Sequence, residues 1–284
     1  MDLLVVRDSV ELAYDAFGDG GDPLVLLIPG AGAPAQFWPD FFCRDLAAHG
    51  RFVVRYSHRD TSYSTHFDEP YSIDELLLDL LALLEKLEKG TAHLVGHSMG
   101  GYLAQMVMCN SPALAASVTS ISAGSTVTPE MYAELGMTSA KESTWQKLME
   151  NQPTGNFEKD CSGWVESWRF LNGGRPFDEQ AAIQYTGALY VGDPRNSQVA
   201  TNHIHAMTTV PNTLVKMVSE SDCRVLVIHG SDDPLVPIDN GEATARLVSD
   251  AKLVRLERAG HMFFNDEVWH EIGRAVAEHT DDRT

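Results

Sequence analysis

Ser98 stands in the stretch LVGHSMGG (residues 94–101), with Gly96 and Gly100 two positions to either side and Gly101 beyond. An apolar run ends just before it and a helical pattern begins just after it. A serine hydroxyl is a weak nucleophile until it is presented and a base takes its proton. The order strand, G-x-S-x-G, helix meets the first need. It puts the serine on a sharp turn where side chains two residues away would collide, so glycine flanks it. A helix starting near Met99 aims its N-terminal N–H groups and dipole at the site and favours negative charge there. The same glycines would also suit a plain turn, so the reading depends on partners elsewhere in the chain.

A base and a group to orient it are both available. His261 lies in ERAGHMFF, just past the last apolar strand pattern, one of 11 histidines in the chain. VLVIHGSDDPLVP ends a strand at Gly230 and places Asp232 and Asp233 in the turn that follows. Only one of these carboxylates can hold the imidazole in one tautomer. Asp233, three residues past the glycine and next to Pro234, is preferred, with Asp232 left as a turn or cap residue. Ser98, Asp233 and His261 then form a nucleophile, orienting acid and base for acyl transfer. The charge that develops on a carbonyl oxygen needs two N–H donors. Met99 offers one. PGAGAP (residues 29–34) offers the other through Ala31, with Gly32 as the alternative.

The elements that must position these residues read as alternating strands and helices. Strand patterns fall at residues 3–6, 10–17, 24–29, 51–57, 92–97, 117–123, 224–230 and 251–259. Helical patterns fall at 36–49, 73–89, 99–110, 239–248 and 266–279. This alternation predicts an α/β fold: a mostly parallel eight-stranded sheet flanked by helices. Residues 124–222 break it. They carry helix-like pieces separated by GRP, GDP and VPN. About a hundred residues is too long for a bare loop, so the segment is read as a helical cap inserted into a core formed by 1–123 and 223–284.

Composition narrows the classes of function. The 284 residues carry 40 acidic against 21 basic side chains, a formal net charge of -19, which argues against nucleic acid or anionic membrane as a partner. Cys43, Cys109, Cys161 and Cys223 show no C-x-x-C spacing and predict neither a zinc site nor a disulfide framework. The N-terminal MDLLVVRDSV lacks the features of a signal peptide, and IDELLLDLLALLEKLEK is amphipathic rather than membrane-spanning. A cytoplasmic monomer or homodimer that needs no cofactor and no metal is expected.

GHSMGG, GSDDPLVP and GHMFF, in that order and context, resemble the α/β-hydrolase superfamily over nearly the whole chain. A closer likeness is to the group containing aclacinomycin methylesterase and proline-iminopeptidase-like hydrolases, carried by SWRFLNGGRPFDE (residues 167–179). The resemblance implies the fold and a Ser98–Asp233–His261 triad. The chain departs from many relatives at Pro29, where histidine is usual. It departs also at Ser57, where aspartate is usual, and at Ser62 and Ser64, where glycines are common. PGAG stands in place of the iminopeptidases' GGPG, which argues against aminopeptidase activity.

Other residues invite a functional reading. His97, next to Ser98, is read as packing beneath the turn. His203 and His205, at i and i+2, diverge on a helix and do not suit a metal. Trp164, Trp168, Phe170 and Tyr185 would line a pocket or form the cap's own core, and Trp164 and Trp168 are the candidate substrate contacts. Met106 and Met108 are core. The expected chemistry is hydrolysis of a small-molecule carboxylic ester, a methyl ester or another small-to-medium apolar one. The same triad would also serve C–C bond or lactone hydrolysis. The rival of another class is a ligand receptor on the hydrolase fold.

Overall fold

Leu24–Ile28, Ala92–His97 and Val225–Gly230 are buried at every residue, as strands covered on both faces must be. They form the centre of one sheet in the computed structural model, which describes residues 1–126, 128–151, 154–191 and 196–281, the side chains of 196–200 aside. In chain order the strands are β1 (Asp2–Arg7), β2 (Val10–Phe17), β3 (Leu24–Ile28), β4 (Phe52–Tyr56), β5 (Ala92–His97), β6 (Ala115–Ile121), β7 (Val225–Gly230) and β8 (Lys252–Leu256). Their spatial order is β1-β2-β4-β3-β5-β6-β7-β8. The pairs β1–β2 and β2–β4 are antiparallel and the remaining five are parallel. The expected eight-stranded, mostly parallel sheet is present.

Alternate residues of each central strand feed two cores. Leu24, Leu26, Leu94, Val118 and Val227 pack under α2 (Ile73–Lys86) and α3 (Met99–Asn110). Val25, Leu27, Val95, Ile121 and Ile228 pack under α1 (Asp40–Ala48) and α11 (Asp266–His279). This period of two is the pleat of the strand expressed as packing. Between β6 and β7 run α4 (Pro129–Leu135), α5 (Glu142–Met149), α6 (Phe157–Leu171), α7 (Glu179–Leu189), α8 (Asn196–Met207) and α9 (Leu214–Ser219). α10 (Ile238–Leu247) follows β7. The GDP signal at 192–194 lies outside the described residues. Among the described residues no helix is long and apolar enough to cross a membrane.

The helix expected over 36–49 is two pieces. A short 3-10 turn covers Ala35–Phe37, and α1 starts only at Asp40, after Pro39. Trp38 is extended, as a residue before proline is pressed to be. The break has a use, because Asp40 reaches Arg55 on β4 at 2.7 Å.

The chain leaves β3 toward β4 on one side and returns to β5 on the other. The carboxyl ends of β3 and β5 therefore flank a crevice where the strand order reverses, the place where open α/β sheets hold their ligands.

Candidate active site

Ser98 occupies the turn from β5 into α3 with φ 52° and ψ −120°, a conformation that side chains rarely adopt. The glycines around it have no room for a methyl group. A Cβ on Gly96 would sit 2.0 Å from the Gly100 carbonyl oxygen, one on Gly100 would sit 2.2 Å from that of Ile28, and one on Gly101 would meet Ala123 Cβ at 2.7 Å. Two of these obstacles are backbone, which cannot swing aside. Gly96→Ala is therefore expected to destabilise the fold by about 3 kcal/mol or more. The urea midpoint measures this, and a shift worth less than about 0.5 kcal/mol would show that the turn can relax.

His261 follows β8 and is 3% exposed. Its Nε2 lies 3.1 Å from Ser98 Oγ and accepts the hydroxyl proton, while its Nδ1–H donates to Asp233 Oδ2 at 2.8 Å. Asp233 follows β7, and its other oxygen accepts the N–H groups of Leu235 at 2.9 Å and Val236 at 2.8 Å. His229 Nε2 donates to the Val236 carbonyl at 2.8 Å and stands 3.6 Å from Asp233 Oδ2, a charge–dipole approach rather than a hydrogen bond. Burial alone would raise the Asp233 carboxyl. The neighbouring His261, its hydrogen bond and the approach of His229 overcome that and hold it well below the usual carboxylate range. Asp232 is exposed and accepts from Ser231 Oγ at 3.1 Å.

The segment after β3 comes alongside the serine because Ile28 pairs with Gly96 in register. A Cβ on Gly30 would lie 3.2 Å from Ser98 Cβ. The Gly30 carbonyl accepts from Ala33 N–H at 3.2 Å, and Gly32 has φ +69°, so the segment is a tight turn that suits glycine. The Gly32 N–H donates to His203 Nδ1 at 2.7 Å. Ala31 is exposed, and among the described residues its N–H makes no hydrogen bond. Met99, buried, is the first residue of α3, where N–H groups lack helical partners.

Several residues frame this site through contacts that sequence reasoning missed. His97 stacks on Phe37 at 4.3 Å and donates from Nε2 to the His261 carbonyl at 2.8 Å. It packs, as expected, but against the segment that carries the base. Asn172, at the end of α6, accepts the Phe264 N–H through its side chain at 2.9 Å, and its carbonyl accepts the Gly260 N–H at 2.9 Å. Leu171 holds Met262 N–H in the same way at 3.0 Å. A Cβ on Gly260 would lie 2.1 Å from the Leu171 carbonyl oxygen, and one on Gly173 2.6 Å from Gly260 N. The NGG of residues 172–174 is thus a backbone splint for the His261 segment. Its sequence signals were an asparagine before paired glycines and the family likeness of residues 167–179, neither of which pointed to this contact.

Trp168 is buried, donates to Thr186 Oγ1 at 2.9 Å and packs edge-on to Tyr185. Trp164, half-buried, stacks on Trp168 at 4.9 Å and donates to the Tyr190 hydroxyl at 3.1 Å. Tyr185 and Trp168 both reach Phe264, three residues beyond His261. The aromatic side chains of α6 and α7 therefore form a wall continuous with the His261 segment. Met106 and Met108 are core. His205 is exposed while both ring nitrogens of His203 are bonded to backbone.

Four imidazoles are held neutral. Burial, aided by nearby positive or imidazole groups, pushes His58 and His97 down to about 3 and His203 and His279 down to about 4. Unfolded, each would bind a proton below about 6.5. The unfolded chain therefore holds the extra protons between about 6.5 and 4, so stability is full above that window and falls as the pH drops through it. Each histidine contributes about 1.4 kcal/mol per pH unit there. Denaturant midpoints should fall steeply from pH 6.5 to 5, and a flat profile would mean that these rings take up protons in the fold.

A family model described as the alpha/beta hydrolase fold matches residues 23–268. Rhodomycin D methylesterase DauP of Streptomyces sp. (strain C5) is 30% identical over 98% of this chain and 97% of its own length. Among solved structures, a 2-hydroxy-6-oxo-6-phenylhexa-2,4-dienoate hydrolase from a Rhodococcus strain superposes with a TM-score of 0.79 at 20% identity, covering 98% of this chain and 96% of the other. A carboxylesterase of the thaumarchaeon Nitrososphaera gargenis superposes with a TM-score of 0.77 at 21% identity, covering 99% of this chain and all of the other. These two structural likenesses carry the fold alone.

Proposed function

The chain belongs to the α/β-hydrolase fold family, and from that premise we propose that it hydrolyses carboxylic esters through an acyl-enzyme on Ser98. His261 Nε2 takes the Ser98 proton as Oγ attacks the ester carbonyl carbon. The carbonyl electron pair moves onto oxygen, and the N–H groups of Ala31 and Met99 hold the resulting oxyanion. The tetrahedral species collapses, the ester C–O bond breaks, and His261 returns the proton to the departing alcohol. A water molecule then attacks the acyl carbon with His261 as base, releasing the acid and restoring the Ser98 hydroxyl. Asp233 keeps the His261 proton on Nδ1 and stabilises the imidazolium formed in each half-reaction. The single observation that supports this best is the hydrogen-bonded chain from Ser98 through His261 to Asp233, at 3.1 and 2.8 Å.

The substrate is a small-molecule ester, and a methyl ester of a bulky aromatic acid fits best. The DauP name supports the methyl ester. The aromatic wall of Trp164, Trp168, Tyr185 and Phe264, which would stack on a flat ring system, supports the aromatic acid. Residues 124–222 act as the cap that selects the substrate, and the enzyme works in the cytoplasm as a monomer or homodimer.

Steady-state turnover on methyl and p-nitrophenyl esters of graded acyl size tests the proposal, with a vinylogous diketone and a lactone run alongside. Multiple turnovers on aromatic methyl esters are expected. Faster turnover of the diketone would replace the ester reading with C–C hydrolysis, and less than one turnover on every substrate would replace it with a ligand receptor.

A further inference from the structure

Three hydrogen bonds fix the turn beside Ser98. The Pro29 carbonyl accepts His58 Nε2–H at 2.9 Å, the Gly30 carbonyl accepts Ala33 N–H, and the Gly32 N–H is held by His203 Nδ1. His203 comes from α8, 171 residues further along the chain. Its Nε2–H donates to the Arg59 carbonyl at 3.1 Å. Arg59 is itself immobile: its buried guanidinium makes two bonds to Asp79, at 2.6 and 2.7 Å, and lies over the rings of Phe67 and Tyr71. The imidazole is thus a strut between a fixed backbone and the turn.

The peptide geometry says what the strut does. A tight turn of this kind has two forms that differ by a flip of its central peptide, here Ala31–Gly32, and φ +69° at Gly32 belongs to one of them. The bond to His203 Nδ1 exists only in that form. It also removes Gly32 from the set of free donors. In the preceding peptide the carbonyl points to Ala33, so the trans N–H of Ala31 points out of the turn.

We propose that His203 is a positioning residue of the oxyanion hole: by binding the Gly32 N–H it fixes the Ala31–Gly32 peptide and with it the turn, so that the Ala31 N–H, whose direction the Gly30 carbonyl sets, and not that of Gly32, meets the developing oxyanion. The inference rests on the acyl-transfer reading above. It also ties α8, in the helical segment between β6 and β7, directly to the transition state.

The two bonds of the imidazole can be separated by substitution. The amide oxygen of asparagine falls where Nδ1 lies, and the amide nitrogen of glutamine falls where Nε2 lies. His203→Asn keeps an acceptor for Gly32, and His203→Gln keeps only the donor to Arg59. With a p-nitrophenyl ester, His203→Gln and His203→Ala should lower kcat about 10- to 100-fold. KM should change less than about 3-fold, because the loss is confined to the transition state. Affinity for a trifluoromethyl ketone, whose adduct carries the oxyanion, should fall by the same factor, and His203→Asn should stay within about 5-fold of the parent. The proposal is overturned if glutamine preserves kcat and asparagine does not, if all three variants keep kcat, or if kcat falls only in step with the folded fraction seen by thermal melting. Should the alanine variant not fold, the asparagine and glutamine pair decides. Ser98→Ala in the same series separates the two claims, since turnover surviving there overturns the acyl-transfer reading itself.

Discussion

Replacing Ser98 by alanine is expected to lower kcat by about 10⁶, the size of loss seen when a triad acts as a unit. The substitution removes one oxygen and leaves every other group in place. His261 then has a base's position but no proton to take, and its bond to Asp233 survives. The turn itself should persist, because the positive φ at position 98 is imposed by the glycine contacts around it, which the substitution leaves alone. Melting temperature should therefore stay within a few degrees of the parent. What remains should be about 10³- to 10⁴-fold over water, from bound substrate and an intact oxyanion site. Two readouts exclude a contaminant. The parent should show a burst of p-nitrophenol as the acyl-enzyme fills, and a fluorophosphonate probe should add its mass to the peptide carrying Ser98. Both signals should vanish in the variant. If Ser98→Ala keeps more than about one per cent of kcat, the nucleophile lies elsewhere.

The triad was legible from the order of three motifs; the other parts of this molecule that were legible in the sequence share one property: their cause is local. Gly96, Gly100 and Gly101 announce a turn too crowded for a Cβ, and the contacts that forbid one are within a few residues or on the neighbouring strand. The apolar runs announce strands covered on both faces, and the strand-helix alternation announces a parallel sheet. Pro39 was also local and was overlooked, which cost the helix at 36–49 its first turn. What was hidden depends on segments far apart in the chain. Nothing near His203 says that it will hold Gly32, and nothing near Asn172 says that it will splint Phe264, 92 residues away. A buried histidine with both nitrogens on backbone looks, in sequence, like any histidine on a helix. Trp164 and Trp168 show the same limit from the other side. Their type suggests a pocket, but hydrogen bonds to Tyr190 and Thr186 and a mutual stack make them a wall first.

Asp233→Asn should lower kcat by about 10⁴, and Asp232→Asn by less than about 3-fold. The asymmetry follows from which donors surround each group. Asp233 Oδ1 accepts two backbone N–H groups, from Leu235 and Val236, and these donors remain in the variant. They will bind only the amide oxygen, so the –NH2 of the new asparagine must take the place of Oδ2, facing His261 Nδ1. Two donors cannot face each other. His261 must then give up its Nδ1 proton and carry it on Nε2, the nitrogen that has to be empty to receive the Ser98 proton. The variant thus holds the base in the wrong tautomer while leaving its position almost unchanged, so kcat collapses and KM does not. The same –NH2 also confronts the Nε2–H of His229, now about as far away as Oδ2 was, so a lowered melting temperature should accompany the loss. Asp232 is exposed, touches Ser231 and faces neither imidazole, so its amide changes only a surface turn. A collapse in the Asp232 variant with a near-normal Asp233 variant would require the imidazole to swing to the other carboxylate in the working enzyme. That would break the 2.8 Å bond on which the tautomer depends.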